Sequence, residues 1–372
     1  MRDLGIGLVG TGFMGRAHVF GYVTAARAFR LPVSFRLEMV ADATEALAED
    51  ARAVLGFSRA TADWRALVED PAVDVVDITA PNALHHEIAM AAVAAGKHVY
   101  CEKPLAPTHR EAQEMADAAE RAGVVTQVGF NYLANPIISL AREMIAGGEL
   151  GEVTTYRGIH AEDYMADPAT PASFRTEPVG GGVLADLGSH ALATAEFLLG
   201  PIAGVMGHCR TLIPERPGPG GAPVPVAVDD VTHAFLRFSS GAVGTIEANW
   251  CATGRTMQHD FELYGPKGGI TFTQERLNEL HVFKAEGPRA RRGFRKIEAG
   301  PSHPPYGRFC PAPGHQLGFN DLKAVEIANY ARAIAGETPE PFGFRAGARI
   351  QGLVEAIRRS SDEGAWVNTE TL

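Results

Sequence analysis

The stretch "LGIGLVGTGFMG", residues 4–15, decides the fold of the N-terminal part of the chain. Its beginning has the pattern of an apolar strand, and the segment from Phe13 to Phe29 has helical periodicity. Between them, Gly10, Gly12 and Gly15 form the pattern G-x-G-x-x-G. Glycines at these positions permit a tight turn and let a pyrophosphate approach the N-terminus of the helix. The stretch therefore predicts a strand, turn and helix that bind a dinucleotide; the alternative is a glycine turn without a ligand.

The remaining first third of the chain alternates between strand and helix patterns. "RLEMVAD", "VDVVDITAP", "KHVYCEKP" and "VVTQVGFN" predict strands, and the segments between them predict helices. This order is typical of a parallel sheet that is covered on both faces. From about Gly151 the strands are rich in threonine and aromatic residues and follow one another directly, as in "DVTHAFLRFS" and "AVGTIEANW". We therefore predict two α/β domains, residues 1–130 and 131–372, the second with a mostly antiparallel sheet.

Two Pro/Gly-rich segments interrupt the second domain. "PERPGPGGAPVPV", residues 214–226, lacks periodic apolar residues and predicts a solvated loop. "GPSHPPYGRFCPAPG", residues 300–314, also predicts a loop, which leads into the helix "DLKAVEIANYARAIAG".

The bulk composition indicates a globular protein that binds a small molecule. Of the 372 residues, 46% are hydrophobic and 21% are charged, which is ordinary for a protein of two domains. The formal net charge of −10 disfavours nucleic acid, whose partners usually carry a basic face. The N-terminus has no secretory signal pattern, and no apolar run is long enough to span a bilayer. We expect a soluble, cytoplasmic protein without a membrane partner.

The cysteines and histidines do not have metal-site spacing. Cys101, Cys209, Cys251 and Cys310 are scattered, and we expect them to be reduced packing residues. We predict no metal site.

Asp42 ends the second predicted strand, where a carboxylate accepts hydrogen bonds from an adenosine ribose. Because a carboxylate repels a 2′-phosphate, Asp42 favours NAD over NADP. It lies 32 residues after Gly10, whereas the usual interval is about 20. We attribute the difference to a long first connection. The alternative is that Asp42 caps the helix that begins near Thr44.

The segment "GKHVYCEKPLA", residues 96–106, places Lys103 just past the carboxyl end of a predicted strand. Ligands of open α/β sheets lie outside these strand ends. A lysine here can hydrogen-bond a ribose hydroxyl and a substrate oxygen. Pro104 disfavours helical geometry at Lys103 and thereby limits where the lysine points. The alternative is a solubilising lysine before a strand-terminating proline.

The segment "GGGVLADLGSHALATAEFLLG", residues 180–200, contains a second candidate site. A helix pattern begins near Leu184, and Asp186 and His190 are four residues apart, so their side chains lie on one helix face. A carboxylate that orients an imidazole suits acid–base catalysis. The alternative is an exposed helical pair; the preceding glycines, which permit close backbone approach, favour a site.

These motifs together resemble those of the Gfo/Idh/MocA oxidoreductases. The glycine fingerprint, "APNALHH", "CEKPLA", "GFNYLANP" and "GGGVLADLGSH" occur in this order over nearly the whole chain. The resemblance implies an N-terminal Rossmann dinucleotide-binding domain and a C-terminal α/β domain whose large open sheet commonly mediates oligomerisation. It also implies NAD(P)-dependent oxidation or reduction of sugars and cyclitols. We expect a homo-oligomer, a dimer or a tetramer.

The resemblance also implies roles for single residues. Lys103 matches the catalytic lysine of the family, and Asp186 and His190 match its D-x-x-x-H pair. The predicted cofactor-binding residues are Gly10, Gly12, Phe13, Met14, Gly15, Asp42, Ala80, Asn82, His85, Glu102 and Lys103. The candidates for substrate binding are polar residues on segments predicted to border the cleft: Asn131, Tyr132, Asn135, His160, Tyr164 and His315.

We therefore expect an NAD-dependent dehydrogenase that oxidises a secondary hydroxyl of a neutral sugar or cyclitol, of the inositol, levoglucosan or glycoside type. Many sugar-active relatives have basic residues after Gly-Phe-Asn, where this chain has Tyr132 and Leu133, and this difference disfavours an acidic or phosphorylated substrate. Two alternatives stay open. One is an NAD-dependent glycosidase that oxidises sugar C3 transiently, and the other is a non-catalytic sensor that binds a dinucleotide.

Overall fold

The computed structural model describes residues 2–338 and 342–372. Contacts between Cα atoms divide the chain into two compact units. The first unit comprises Met1–Ala134 and Gly318–Arg349, and the second comprises Asn135–Leu317 and Ile350–Leu372. The predicted division at residue 130 assigned residues 318–349 to the second domain, whereas this segment packs within the first unit.

The helices and strands are numbered in chain order. As far as Ala146 they are β1 Arg2–Val9, α1 Phe13–Ala28, β2 Val33–Ala41, α2 Glu45–Leu55, β3 Arg59–Thr61, α3 Trp64–Glu69, β4 Val75–Ile78, α4 His85–Ala94, β5 His98–Cys101, α5 His109–Ala122, β6 Thr126–Val128 and α6 Pro136–Ala146. They continue with β7 Thr155–Ala161, α7 Ser189–Leu199, β8 Ile202–Arg210, β9 Glu215–Pro217, β10 Pro223–Pro225, β11 Val231–Phe238, β12 Val243–Asn249, β13 Gln258–Gly265, β14 Gly268–Thr273, β15 Glu279–Lys284, β16 Phe294–Glu298, α8 Phe319–Ile334, α9 Phe344–Glu363 and β17 Val367–Asn368.

The first unit contains a parallel sheet whose described strands have the order β3-β2-β1-β4-β5-β6. Strand β1 is buried from Leu4 to Val9, on both faces, as expected for a strand between two layers of helices. The carboxyl ends of parallel strands meet at one edge of the sheet, and ligands of such sheets bind outside that edge. The order has its switch point between β1 and β4, beside the glycine turn that follows β1.

Helix α8 belongs to the first unit because it packs against α1. The contact is close at Gly21, where a Cβ atom would lie 2.7 Å from Cδ1 of Ile327 and 3.0 Å from Cγ of Lys323. The absence of a side chain at Gly21 therefore lets the two helices approach each other.

The second unit contains a large sheet whose described strands have the order β16-β15-β14-β13-β7-β12-β11-β8-β17. All described neighbours are antiparallel except β7 and β12. Along β11 buried and exposed residues alternate, which shows that one face is covered and the other is exposed. Helix α7 packs on the covered face against β7 and β12. The predicted fold class, a Rossmann domain followed by an α/β domain with a mostly antiparallel sheet, is confirmed.

One predicted loop is wrong. Residues 214–226 include β9 and β10, which pair with each other in an antiparallel hairpin. Arg216 of β9 is fully buried, and its guanidinium donates to the carbonyl oxygen of Met165 at 2.8 Å and to Asp230 Oδ1 at 3.4 Å. Composition alone missed this hairpin because the partners of Arg216 are distant in sequence.

Between residues 300 and 314 the chain forms turns, including a 3₁₀ turn at Tyr306–Arg308. Among the described helices, none is both long enough and apolar enough to cross a bilayer.

Candidate cofactor and catalytic sites

The predicted cofactor residues lie in the loops that follow strands of the first sheet. Gly10 follows β1, Asp42 follows β2, Ala80 follows β4 and Glu102 follows β5. Because these strands are parallel, their loops share one edge of the sheet. The sheet therefore brings sequence positions more than 90 residues apart to one edge.

The glycine loop between β1 and α1 has the geometry that a dinucleotide needs. Gly10 has φ +97°, and a Cβ atom there would lie 2.8 Å from the backbone of Thr79. A Cβ on Gly15 would lie 2.3 Å from the carbonyl oxygen of Gly10, whereas no heavy atom lies within 4 Å of that position at Gly12. The loop is therefore closely packed against backbone at Gly10 and Gly15, whereas the space next to Gly12 is open.

The N-terminus of α1 also suits a phosphate group. Gly12 is the N-cap residue, no side chain caps the helix, and the first turn contains no acidic residue. The free N–H groups and the dipole of a helix N-terminus favour an anion. These residues fit a pyrophosphate.

Phe13 and Met14 begin α1. Phe13 is 74% exposed, and its ring stacks on Phe319 with a centroid distance of 5.7 Å. Met14 is half-buried.

Asp42 holds the glycine loop. Its Oδ2 accepts hydrogen bonds from the N–H of Thr11, at 2.9 Å, and from the Thr11 hydroxyl. Thr44 is the N-cap residue of α2, with its side chain accepting from the N–H of Leu47. The alternative in which Asp42 caps this helix is therefore wrong.

The ring of His85 bridges the loop after β4 and the loop after β5. Its ring is fully buried, with Nδ1 2.9 Å from the carbonyl oxygen of Pro104 and Nε2 2.8 Å from that of Ala80. Burial lowers the pKa of His85, even though both carbonyls favour its protonated form. The side chain of His85 therefore contacts protein on both sides, while Asn82 begins the 3₁₀ turn that precedes it.

Glu102 and Lys103 follow β5. The Lys103–Pro104 peptide bond is cis, a property that the sequence does not reveal. The backbone N–H of Lys103 donates to Glu102 Oε2 at 3.2 Å. Glu102 is buried, whereas Lys103 is half-buried.

Asn131 and Tyr132 form the next loop of the first unit. Asn131 is buried, and within the described residues its Nδ2 has no hydrogen-bond partner. A buried amide without a partner is costly unless a ligand or water pairs with it. Tyr132 lies edge-on to Phe319, with ring centroids 6.4 Å apart.

The glycines at 180–182 lead the chain into the segment of the second unit that contains Asp186 and His190. Gly182 has φ +94°, and a Cβ atom there would lie 2.2 Å from Asp229 Oδ1. A Cβ on Gly181 would lie 2.3 Å from the carbonyl oxygen of Glu177. The close approach predicted for these glycines is therefore an approach to protein groups.

The expected α-helix from Leu184 begins differently. Leu184–Gly188 forms a π-helical turn, and α7 starts at Ser189. Single π-helical turns inside helices occur frequently at functional sites. Asp186 lies in the π turn and His190 in the first turn of α7.

The Asp186 carboxylate accepts hydrogen bonds from Tyr164 and Arg175. The Tyr164 hydroxyl donates to Asp186 Oδ2 at 2.8 Å, and Arg175 Nε donates to the same oxygen at 3.0 Å. The Arg175 guanidinium lies 5.4 Å from the Tyr164 ring centroid. Burial and the Asp186 carboxylate raise the pKa of Tyr164, so Tyr164 acts here as a donor.

His190 is buried in a group of three imidazoles. Its ring centroid lies 5.5 Å from that of His160 and 6.2 Å from that of His259. His160 Nδ1 lies 3.0 Å from the carbonyl oxygen of Leu187, and its Nε2 lies 3.2 Å from Glu162 Oε1. Burial lowers the pKa of His259 well below its usual value, so His259 is neutral.

Two candidates for substrate binding lie in other surroundings than expected. Asn135 is buried; its Oδ1 caps α6 through the N–H of Ile137, and its Nδ2 donates to the carbonyl oxygen of Leu277 at 2.8 Å. These bonds give its amide a structural task. His315 is exposed in the loop before α8, and its carbonyl oxygen accepts a hydrogen bond from the Tyr306 hydroxyl.

Sequence reasoning did not include Arg175 or His259 among the candidate site residues. Arg175 lies in a segment without periodicity, and only the fold brings it to Asp186. The position of His259 beside His190 could not be predicted, because one histidine in a strand carries no sign of its neighbours.

The comparisons with known proteins agree with this geometry. Residues 4–130 match the family described as "Oxidoreductase family, NAD-binding Rossmann fold", and residues 138–271 match "GFO/IDH/MocA C-terminal domain". Levoglucosan dehydrogenase of Pseudarthrobacter phenanthrenivorans is 38% identical over the full length of both chains. The scyllo-inositol 2-dehydrogenase (NAD(+)) of Bacillus subtilis is 27% identical over 89% of this chain and 86% of that protein.

A solved structure agrees over the whole chain as well. The structure of a levoglucosan dehydrogenase in complex with NADH and levoglucosan matches with a TM-score of 0.96 and 38% identity, covering 100% of each chain. The chain therefore belongs to the Gfo/Idh/MocA family of oxidoreductases, and its N-terminal domain has the NAD-binding Rossmann fold of that family.

Proposed function

We propose that this protein is an NAD-dependent dehydrogenase that oxidises a secondary hydroxyl of a neutral sugar or cyclitol, with an anhydrosugar of the levoglucosan type as its first candidate substrate. The observation that carries this proposal is the Asp186 carboxylate held by Tyr164 and Arg175, one turn before the buried His190. Full-length similarity to a levoglucosan dehydrogenase favours the anhydrosugar.

The protein residues divide the work of the reaction. Bound NAD supplies the hydride acceptor at C4 of its nicotinamide. His190 accepts the proton of the substrate hydroxyl, and Asp186 favours the protonated imidazole that results. Lys103 donates a hydrogen bond to the oxygen on which negative charge develops. The carbinol carbon loses a hydride and its oxygen loses a proton, so the products are a ketone, NADH and one proton.

Several further predictions about the substrate, its binding residues and the oligomeric state belong to this proposal. Tyr132 and Leu133 stand where basic residues would favour an anionic substrate, which supports a neutral polyol. Asn131, whose buried Nδ2 has no hydrogen-bond partner among the described residues, is a candidate ligand of the substrate or the cofactor. We also propose a cytoplasmic homo-oligomer that associates through the exposed face of the large sheet.

The test measures NADH absorbance with purified protein and either NAD or NADP. The panel contains levoglucosan, inositol stereoisomers, aldoses and methyl glycosides. Formation of NADH with one neutral polyol and NAD is the expected result. Cleavage of a methyl glycoside without net NADH would replace the proposal with the glycosidase. NAD binding without turnover of any compound, in either direction, would instead support the sensor.

A further inference from the structure

A buried histidine in α1 connects the glycine helix to the loop that carries Lys103. His18 Nδ1 lies 2.8 Å from Asp77 Oδ1, and His18 Nε2 lies 2.8 Å from Glu102 Oε1. The side chains of His18 and Asp77 are fully buried, and that of Glu102 is 7% exposed. His18 therefore joins β4, α1 and the end of β5 below the edge where the predicted cofactor residues lie.

A lysine from α8 completes this group. Lys323 is fully buried, and its Nζ donates to Glu326 Oε2 at 2.8 Å, to the Tyr100 hydroxyl at 2.8 Å and to Glu102 Oε1 at 3.3 Å. The Tyr100 hydroxyl donates to Glu326 Oε2. Glu102 therefore receives hydrogen bonds from two helices, α1 and α8.

The contacts fix the protonation of His18. Both of its neighbours are carboxylates, which only accept, and a neutral imidazole has one N–H to donate. Satisfying both contacts requires the doubly protonated ring. Burial opposes this charge, but Asp77 and Glu102 outweigh it and raise the pKa of His18, although Lys323 lowers it. The Tyr100 ring also faces the imidazole, with centroids 4.4 Å apart.

The same contacts keep Glu102 ionised. Burial disfavours its charge, but Lys323 and His18 lower the pKa of Glu102 to about 2. The carboxylate is also enclosed by backbone, because a Cβ atom on Gly129 would lie 2.3 Å from Glu102 Oε1. With Oε1 bound by His18 and Lys323, Oε2 accepts the backbone N–H of Lys103 at 3.2 Å.

We propose that His18 and Lys323 are positioning residues that act through Glu102: they hold its carboxylate in one place, and that carboxylate holds the backbone of Lys103. The proposal rests on the role of Lys103 in the proposed function. It assigns His18, one turn after Gly15 on the helix that faces the pyrophosphate, a task that the glycine fingerprint does not include.

Kinetics of a double-mutant cycle test the proposal. His18→Gln retains a donor and removes the positive charge, and Glu102→Gln removes the carboxylate with little change in shape. We expect each variant to lower kcat by about ten- to hundredfold, with smaller changes in the KM values for NAD and sugar. In the Glu102→Gln background, His18→Gln should add little, because residues that act through one group are not additive.

A matched control addresses general destabilisation. His98 begins β5, where its Nδ1 accepts the N–H of Val125, at the opposite end of the strand from Glu102. We expect His98→Gln to retain kcat. A normal kcat in His18→Gln, or multiplicative losses in the double variant, would overturn the proposal.

The protonation state of His18 can be measured by NMR spectroscopy, which tests the proposal without an activity assay. In ¹⁵N-labelled protein, the signals of the His18 ring are identified as those that disappear in His18→Gln. In the unmodified protein at neutral pH, these signals should show that both ring nitrogens are protonated. In Glu102→Gln the same ring should lose a proton at lower pH than in the unmodified protein. A neutral His18 ring at neutral pH would contradict the proposal. If no polyol is oxidised but His18 is doubly protonated, the proposed function fails while the buried charge network is confirmed.

Discussion

At the scale of single residues, several side chains that were predicted to bind the cofactor form hydrogen bonds with the loops around the site. Asp42 accepts from Thr11 and lies at the end of β2, and His85 joins the carbonyls of Pro104 and Ala80. Each of these side chains lies in a motif that indicates a cofactor site. The structure shows that their first contacts are with neighbouring backbone.

Asp42 provides the first test. We expect Asp42→Ser to lower the preference for NAD over NADP by about tenfold or more, because a carboxylate repels the 2′-phosphate. The measurement is the ratio of kcat/KM for the two cofactors. Asp42→Asn is the control for the bond to Thr11, since its amide oxygen still accepts while the charge is absent. An unchanged ratio in both variants would remove Asp42 from cofactor selection.

His190 provides the second test. We expect His190→Ala to lower kcat by about 10²- to 10⁴-fold, the usual range for loss of a general base, with NADH affinity retained in calorimetry. His281 of β15 is a matched control, because it is a histidine of the same unit outside the imidazole group. Unchanged turnover in His190→Ala would exclude His190 from proton transfer.

At the scale of elements, the turn at Gly180–Gly182 and the π turn after it set the position of Asp186. The carboxylate of Asp229 accepts the N–H of Leu184 at 2.7 Å, and Arg358 Nη2 donates to the carbonyl oxygen of Gly181 and to Asp229 Oδ1. The start of the π turn is therefore held from outside by α9 and by the chain before β11.

Gly182→Ala tests this arrangement. A Cβ at Gly182 would meet the Asp229 carboxylate at 2.2 Å and the residue has φ +94°. Gly254 has φ +91° with no heavy atom within 4 Å of the same position, so Gly254→Ala reproduces the backbone strain of about 1–3 kcal/mol without the collision. We expect Gly182→Ala to unfold at lower denaturant and to lose more activity than Gly254→Ala. Equal effects would show that only the backbone conformation matters.

The sequence predicted the elements of the first unit well because its periodicity and turn residues agree with the fold. The glycine fingerprint and the four strands after it lie where their patterns indicate. The π turn could not be predicted, since Asp229 and Arg358 stabilise it from positions far along the chain. Arg216 in its buried hairpin and Arg175 beside Asp186 were missed for the same reason: their partners are distant in sequence.

At the scale of the whole molecule, the proposed association through the large sheet predicts that apolar side chains on its exposed face lie in the interface. Phe235 of β11 is 58% exposed and Val243 of β12 is 53% exposed, on strands that pair with each other. We expect Phe235→Glu combined with Val243→Glu to lower the molar mass measured by light scattering. Val54→Glu on α2, at a residue that is 63% exposed, is the control. A monomeric unmodified protein, or an unchanged mass in the double variant, would contradict association through this face.

The segment Gly318–Arg349 gives the first unit two sequence-distant parts. Length and local pattern place a boundary after the last parallel strand, but only tertiary contacts show that α8 returns to α1. The ammonium group of Lys323 is one of the cations that compensate the negative charges of the buried Asp77, Glu102 and Glu326 carboxylates.

This arrangement has a consequence for the order in which the protein matures on the ribosome. When the first 134 residues have emerged, the side chains of Asp77 and Glu102 exist without Lys323, and α1 lacks the helix that covers it. The nucleotide-binding unit therefore completes its interior only after residues 135–317 of the other unit have been translated. A fragment expressed from residues 1–134 alone would bury the carboxylates of Asp77 and Glu102 against one histidine, without the ammonium group of Lys323.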